Sequence, residues 1–328
     1  MNVANKSDKH YIFSRIILII FFITIIYYIK SLSSIKAKNY INFDQYETNV
    51  YNNIKNKLIN SGCSIMNKNQ REFINGLIRY FKPKKILELG VFFGGSSIII
   101  LNAIKDIEDS HLFSIDINNS SSVGKCVDKY FKHLSNKWTL FKGGIAAEFL
   151  ETIGNDIDFA MIDTAHFEPG EILDFLLVLP FLKEEAIVIF HDIDHQITFS
   201  KGKNLRNEWA PYIIFNNARG EKFLPSGKGI FNKDIGAVKL EKNQKKYYHD
   251  YCRALGSQWQ YFPLENHIRI ILDFVKKYYD NECFLILKEA INFNRHFVLD
   301  NPKKIFNYSH YKIIKQNYDL LINTNEYI

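Results

Sequence analysis

Short runs rich in β-branched and aromatic residues alternate with helix-length segments between residues 84 and 192. The runs are KKILELG (84–90), HLFSID (111–116), WTLFKGG (138–144), IDFAMID (157–163) and AIVIFHD (186–192). Parallel neighbouring strands need long crossover connections, usually helices, so this alternation predicts an α/β fold with a Rossmann-like, doubly wound, mostly parallel sheet. A late strand is expected at DIGAVKLE (234–241), after a long insertion at 198–226.

The segments between these strands predict helices at 94–104, 123–134, 146–153 and 169–182. Pro169 suits the first turn of the last of these, where a missing N–H costs nothing. In such sheets, ligands bind outside the carboxyl ends of the strands. The residues at those ends are therefore the candidates for chemistry.

An uncharged apolar run, IILIIFFITIIYYI, lies between Arg15 and Lys30. As a helix it would span about 21 Å at ~1.5 Å per residue, which is short of the ~30 Å hydrocarbon core. Snorkelling of Arg15 and Lys30 would close the gap, so we expect membrane attachment through residues 11–30. A secretory signal and an ordinary buried helix stay open, although no A-x-A site follows the run.

Four segments follow from these patterns: a membrane anchor (1–38), a helical lead-in (39–82), the α/β domain (83–241) and a helical C-terminal extension (242–328). The aromatic extension suits core and dimer packing better than an acceptor pocket, so a homo-oligomer is open. The formal charge of +7 is spread along the chain, which argues against nucleic acid as a partner. The four cysteines stand far apart without a C-x-x-C pair, so neither a disulfide framework nor a zinc site is expected.

The loop after the first strand reads ELGVFFGGSS (88–97). Phe92 stands where a dinucleotide fold needs its second glycine for close approach to a pyrophosphate, which argues against NAD and FAD. S-adenosylmethionine has no pyrophosphate, so a wider E-x-G-x-x-x-G turn suits it. The N–H groups of Gly95 and Ser96 would then face its carboxylate. Glycines placed only for strand-to-helix packing are the alternative.

Asp116 ends the second strand, 26 residues after Gly90. An acidic side chain there can accept hydrogen bonds from both ribose hydroxyls of a nucleoside cofactor. A turn residue or helix N-cap is the alternative.

Carboxylates and histidines follow the fourth and fifth strands, as Asp163 with His166 and His191 with Asp192. Methyl transfer requires that an acceptor be positioned and lose a proton. Two routes fit these residues. Asp163, His191 and Asp192 can ligate a divalent cation that acidifies a bound hydroxyl, or His166 or His191 can take the proton directly.

Together these motifs resemble the class I S-adenosylmethionine-dependent methyltransferases, and most closely the branch of macrocin-type O-methyltransferases and the related cephalosporin-hydroxylase group. The resemblance covers about residues 80–241. It implies that Glu88, Gly90 and Gly94 belong to the glycine-rich cofactor motif and that Asp116 is the ribose-binding acid. It also implies a D-x-x-H motif and a strand-five acidic pair, which binds magnesium in some members; these correspond to Asp163, His166, His191 and Asp192.

The chain departs from the family pattern at two places. Gly143 is followed by Gly144 and not by Asp or Ser, so contacts to adenine come from the backbone, with Gly144 as the candidate cofactor-binding residue, or from elsewhere. His191 replaces the first strand-five acid, which makes a site for Mg²⁺ or Mn²⁺ less oxygen-rich.

The expected activity is S-adenosylmethionine-dependent O-methylation of a hydroxyl on a sugar, a glycan or another small polar acceptor. A membrane-tethered binding or assembly protein without turnover and a hydroxylase-like enzyme are the alternatives. Because this cofactor is made in the cytosol and no disulfide pattern is seen, the domain is expected to face the cytosol.

Overall fold

The computed structural model describes residues 41–194, 209–226 and 234–300. The expected membrane segment at 11–30 therefore lies outside the described residues and stays a prediction. Within the described ranges, no helix combines the length and the apolar character needed to cross a membrane.

One seven-stranded sheet forms the centre of the fold, in the order β3-β2-β1-β4-β5-β7-β6. The strands are β1 (Lys85–Leu89), β2 (His111–Asp116), β3 (Trp138–Lys142), β4 (Ile157–Ile162), β5 (Leu182–His191), β6 (Gly220–Phe223) and β7 (Ile235–Leu240). Strands β1 to β5 pair in parallel, whereas β7 runs antiparallel to both β5 and β6. The predicted Rossmann-like, mostly parallel sheet is confirmed.

Helices form the lead-in, most of the connections between the strands and the described part of the C-terminal extension. They are α1 (Thr48–Asn60), α2 (Lys68–Phe81), α3 (Gly95–Ile104), α4 (Lys125–Tyr130), α5 (Ala146–Ile153), α6 (Gly170–Val178), α7 (Ala210–Asn217), α8 (Tyr248–Arg253), α9 (Glu265–Tyr278) and α10 (Asn281–Asp300). Short 3₁₀ turns occur at Phe43–Gln45, Lys132–Lys137, Leu179–Phe181, Gln244–Tyr247 and Ala254–Gly256.

The register brings the carboxyl ends of the central strands to one level. Leu89 of β1 lies beside Ile115 of β2 on one side and Ile162 of β4 on the other. Backbone hydrogen bonds between the strands continue just past these ends, since the N–H of Asp163 donates to the Leu89 carbonyl at 3.0 Å. The crevice beyond β1 and β4 is the point where the order of the strands along the sheet reverses, which is where such folds bind ligands.

The core explains why β1, β4 and β5 read as continuous apolar runs. Both faces of these strands are covered, so Leu87, Phe159 and Val188 are fully buried. The C-terminal extension adds to the same core through the buried aromatic side chains of Tyr251 and Trp259.

Four sequence predictions need correction. The helix expected at 169–182 spans Gly170–Val178, with Pro169 at its N-cap and a 3₁₀ turn after it. The described part of the expected insertion contains helix α7 and edge strand β6. Strand β5 starts at Leu182 rather than 186. Its first residues are charged and exposed, so they do not read as a buried strand; Glu185, for example, forms a 3.1 Å ion pair with Lys239 of β7. The helix after β2 is only six residues long and is followed by a 3₁₀ turn.

Candidate active site

The loop after β1 is fixed by backbone geometry and by Asp116. Gly90 has φ +86°, and a Cβ there would lie 1.8 Å from the carbonyl oxygen of Asp163, so only glycine fits beside the end of β4. The next two N–H groups, of Val91 and Phe92, each donate to the Asp116 carboxylate at 3.0 Å. Asp116 therefore ties the loop to the end of β2.

The end of this loop packs against the lead-in segment. Gly94 has φ +92° and precedes α3. A Cβ on Gly95 would lie 2.5 Å from the carbonyl oxygen of Cys63, so one side of Gly95 faces residues 63 and 64. Ser96 is buried. Close packing thus explains why residue 95 is a glycine. A role of Gly95 in binding a cofactor carboxylate stays a prediction.

Glu88 lies beneath the loop and not on its surface. Its fully buried carboxylate accepts hydrogen bonds from the hydroxyls of Ser97 at 2.7 Å and Ser114 at 2.6 Å. Burial, which outweighs these bonds, raises the pKa of Glu88 to about 7. Any influence of Glu88 on a cofactor therefore acts through the loop above it.

The turn after β3 lies beside Asp116. The N–H of Gly143 donates to the Asp116 carbonyl at 2.9 Å, and Gly143 itself is exposed with φ +86°. Gly144 is buried, and a Cβ there would lie 2.5 Å from a carboxylate oxygen of Glu148. Gly143 is thus the more accessible of the two glycines at this edge.

The ends of β4 and β5 bring three predicted residues together. His191 Nδ1 lies 3.4 Å from Asp163 Oδ1 and 3.1 Å from Asp192 Oδ1. One ligand atom from each of these residues lies within 4.8 Å of the other two. His191 and Asp192 are buried, and Asp163 is partly exposed. The arrangement can therefore hold a small cation reached from the Asp163 side.

His166 joins the same cluster from the loop after β4. Its Nδ1 lies 3.3 Å from Asp192 Oδ2, and its Nε2 lies 3.9 Å from Asp163 Oδ1. A fourth acidic residue, Glu171 of α6, accepts a 2.6 Å hydrogen bond from the His166 backbone N–H and lies 3.4 Å from its Nδ1. The structure brings together all four predicted residues and adds Glu171.

Glu171 escaped the sequence analysis. It stands in the first turn of α6 and is fully buried, whereas an acid in a first helical turn is ordinarily explained by the helix dipole. Thr164 lies beside it and donates to Asp174 Oδ2 at 2.6 Å. Glu171 follows His166 by five positions, and no local pattern marks that pair.

Charge in the cluster favours protonated imidazoles. Burial opposes the charge on His166, but the hydrogen bond and the charge of Glu171, with Asp192 and Asp163, outweigh it and raise the pKa of His166 to about 10. Burial also opposes the charge on His191, yet Asp163 and Asp192 raise the pKa of His191 well above its ordinary value. The His166 imidazole therefore carries a proton at neutral pH.

Strained backbone marks the same place. His166 has φ +62°, Asp192 has φ +55° and Phe92 has φ +51°. Non-glycine residues adopt this left-handed region infrequently, and such residues cluster at functional sites. Three of the nine such residues in the described part of the chain lie around this crevice, and the other six lie elsewhere in the fold.

A disulfide joins Cys63 to Cys126, with their Cα atoms 5.9 Å apart. The expectation that the chain has no disulfide is therefore wrong. The bond links the segment between α1 and α2 to α4 across 63 residues, a separation that leaves no local sequence signal. It flanks the loop after β1, since the Cys126 N–H donates to the Phe93 carbonyl at 3.0 Å.

Residues 87–193 match the family model of a methyltransferase domain. The match runs from β1 to just beyond β5 and includes Glu88, Asp116 and the cluster around His191. It confirms the methyltransferase class expected from the sequence, and the macrocin-type branch stays a prediction. No curated protein shows significant sequence similarity to the chain.

Several solved structures resemble this fold at low sequence identity. A putative O-methyltransferase from Klebsiella pneumoniae is 16% identical, with a TM-score of 0.44 over 58% of this chain and 90% of that one. A putative caffeoyl-CoA O-methyltransferase from Staphylococcus aureus is 20% identical, with a TM-score of 0.44 over 58% and 91%. An O-methyltransferase from Bacillus cereus in complex with SAH is 14% identical, with a TM-score of 0.42 over 64% and 96%. The class assignment rests on the family model and not on these likenesses.

Proposed function

We propose that the protein is an S-adenosylmethionine-dependent O-methyltransferase that acts on a hydroxyl of a sugar or another small polar acceptor, assisted by a divalent cation. The observation that carries this proposal is the cluster of acids and imidazoles at the ends of β4 and β5. It lies next to the glycine-rich loop after β1, because Gly90 contacts the Asp163 backbone. An acceptor between these features would be next to a cofactor on the loop.

The cofactor would lie over the ends of β1 and β2. A carboxylate has about four acceptor positions, and Asp116 uses three of them on the N–H groups of Val91, Phe92 and Asn118. Asp116 is only partly buried, so it has capacity left for a ribose hydroxyl. When bound, S-adenosylmethionine supplies the methyl group, while this chain orients cofactor and acceptor.

Asp163, His191 and Asp192 would hold the cation. Carboxylate oxygens and imidazole nitrogen suit Mg²⁺ or Mn²⁺, although the nitrogen makes the set softer than three acids. His191 Nδ1 faces the Asp163 and Asp192 carboxylates at 3.4 and 3.1 Å, so a cation held by all three residues would replace the proton on this nitrogen. A bound cation would lower the pKa of an acceptor hydroxyl.

Direct proton removal by a histidine is less well supported. A general base must be unprotonated at the working pH. The pKa of His166 is raised to about 10, so its imidazole holds a proton at neutral pH. The acids around both imidazoles therefore favour a bound metal cation over a neutral histidine that accepts the proton.

Incubation of the full chain with labelled S-adenosylmethionine and a cell-envelope or metabolite extract tests the proposal. We expect a labelled product, loss of labelling with chelator and recovery with Mg²⁺ or Mn²⁺. Asp163→Asn should lose most turnover while cofactor binding survives. Asp156→Asn, an exposed acid just before β4, is the matched control and should keep both.

Other outcomes separate the alternatives. Cofactor binding without any labelled product would favour a tethered binding or assembly protein on this fold. Full activity in Asp163→Asn, measured with the identified acceptor, would return Asp163 to a structural role.

Attachment to a membrane through residues 11–30 and a cytosol-facing domain remain part of the proposal. The cytosolic source of the cofactor supports this orientation, whereas the disulfide removes the other ground for it, since disulfides persist mainly in oxidising compartments. Protease treatment of sealed, right-side-out cells distinguishes the two orientations. Protection of residues 40–328 supports the proposal, and digestion from outside contradicts it.

A further inference from the structure

A second cluster of potential metal ligands lies in the C-terminal extension, where α8 packs against the start of α10. His249 Nε2 lies 2.7 Å from Asp280 Oδ2. The Cys283 thiol completes the group, because one ligand atom from each of these three residues lies within 4.8 Å of the other two. Imidazole, carboxylate and thiolate are the three ligand types that zinc uses in proteins.

Cys252 supplies a fourth donor next to this group. It follows His249 by three residues on α8, so both side chains leave the same face of that helix. Like Cys283, it is a buried free cysteine, and the helix that carries it, α8, packs against α10. The four residues thus form two matching pairs, H-x-x-C on α8 and D-x-x-C at the start of α10. A search for C-x-x-C spacing passes over both pairs.

Surrounding contacts hold the oxygen and nitrogen donors in position. Asp280 Oδ1 accepts a 3.0 Å hydrogen bond from the Cys283 N–H, which leaves Oδ2 directed at His249. On the other side of the ring, Glu282 Oε2 lies 3.4 Å from His249 Nδ1. A carboxylate on Nδ1 fixes the tautomer that leaves Nε2 as the ligand, as in carboxylate–histidine–zinc arrangements. Arg253 in turn holds Glu282 at 3.0 Å.

The cluster is exposed to solvent on one side and buried on the other. The thiols of Cys252 and Cys283 are both buried, whereas the side chains of His249 and Asp280 are 36% and 57% exposed. A cation can therefore enter past the imidazole and the carboxylate and reach the sulfur atoms beneath them.

We propose that His249, Asp280, Cys283 and Cys252 form a structural site for Zn²⁺, separate from the candidate active site. Binding converts each thiol to a thiolate bound to zinc and releases its proton to solvent. The bound zinc would link α8 to the start of α10 and so stabilise the C-terminal extension. It does not depend on the activity proposed above.

Cobalt titration of the full chain, with thiols reduced and oxygen excluded, tests the site. Thiolate ligands give Co²⁺ a charge-transfer absorption, and the cluster of Asp163, His191 and Asp192 has no sulfur to produce one. We expect the absorption to saturate at one equivalent and to disappear when Zn²⁺ displaces Co²⁺. A thermal unfolding midpoint that rises with Zn²⁺ in wild type and not in Cys252→Ser/Cys283→Ser is the second readout, because a ligand that binds only the folded state stabilises it.

Variants assign the ligands. Cys283→Ser should lower the absorption and Cys252→Ser/Cys283→Ser should abolish it. Glu282→Gln should weaken Co²⁺ binding by roughly 10- to 100-fold, as expected for a residue that orients a ligand. His249→Ala should weaken binding further, whereas the exposed His133→Ala should leave it unchanged. Asp280→Asn retains the helix-capping oxygen, so it separates loss of a ligand charge from loss of folding.

Reduction also opens Cys63 and Cys126, so the titration is repeated in the Cys63→Ser/Cys126→Ser variant, which should keep the absorption. The proposal is overturned if the reduced wild-type chain shows no charge-transfer absorption. It is equally overturned if the absorption persists in Cys252→Ser/Cys283→Ser, or if Cys252 and Cys283 are found as a disulfide and take up no Co²⁺ after reduction.

Discussion

The backbone N–H of Phe92 donates a 3.0 Å hydrogen bond to the carboxylate of Asp116. This bond crosses from the loop after β1 to the end of β2, and the neighbouring N–H of Val91 donates to the same oxygen. Asp116 thereby has two tasks in the proposed enzyme, since it shapes the glycine-rich loop and is available to the cofactor ribose.

Asp116→Ala should weaken S-adenosylmethionine binding. The change removes a charge-assisted acceptor from the ribose and from the loop, so we expect a loss of roughly 1.5–3 kcal/mol. Calorimetry of the full chain measures the affinity. Asp128→Ala, at an exposed acid on α4, should bind as wild type does. Unchanged affinity in Asp116→Ala would rule out the ribose assignment.

Glu88→Gln should change how stability depends on pH. Burial raises the pKa of Glu88 to about 7 in the folded state, from an ordinary value of 4.5. Between these values the folded state binds more protons than the unfolded state, so the free energy of unfolding falls as pH rises. A neutral amide removes this term, which is worth about 3 kcal/mol for such a shift.

Denaturant unfolding of wild type and Glu88→Gln at pH 5 and pH 8 measures the difference. The variant should gain on wild type as pH rises, by up to about 3 kcal/mol. Glu108→Gln, at an exposed acid, should show no such gain. A pH-independent difference between Glu88→Gln and wild type would mean that Glu88 is ionised at both pH values.

Much of the fold and of the site followed from local patterns. The sheet was predictable because each buried strand reads as an apolar run and each crossover as a helix. Asp163, His166, His191 and Asp192 were predictable as neighbours because parallel strands place their carboxyl ends at one edge.

The parts that escaped prediction depend on contacts between distant segments. Glu171 is a site residue only because the start of α6 turns its side chain back toward His166. Cys63 and Cys126 meet because the lead-in helices and α4 all pack against α3, and nothing near either residue signals the pairing. Glu88 matched a cofactor motif in the sequence, yet packing places its carboxylate under the loop.

Glu171→Gln should lower the pKa of His166. Burial opposes the imidazolium, and Glu171 supplies the strongest of the interactions that overcome this and raise the pKa to about 10. The folded-state pKa exceeds the ordinary value of 6.5, so the stabilisation is complete below pH 6.5 and is lost as pH rises through about 10. The amide should therefore bring both the titration and this loss to lower pH.

Nuclear magnetic resonance of the His166 ring in the chelator-treated chain follows the titration. Glu151→Gln, at an exposed acid on α5, is the control and should leave the pKa of His166 in place. An unchanged titration in Glu171→Gln would show that Asp163 and Asp192 suffice to hold the proton.

Removal of the Cys63–Cys126 disulfide should destabilise the chain and loosen the cofactor loop. The bond closes a loop of 63 residues, for which the chain-entropy model gives a stabilisation of about 4 kcal/mol. The carbonyl of Cys63 also packs against Gly95 at the start of α3, so the bond holds the surface that fixes the end of the loop. Cys63→Ser/Cys126→Ser should therefore unfold at lower denaturant concentration and bind S-adenosylmethionine more weakly. Reductant should lower the stability of wild type but leave the double variant unchanged. If peptide mass spectrometry of the unreduced protein finds Cys63 and Cys126 as free thiols, this prediction fails and the cytosolic orientation regains its second ground.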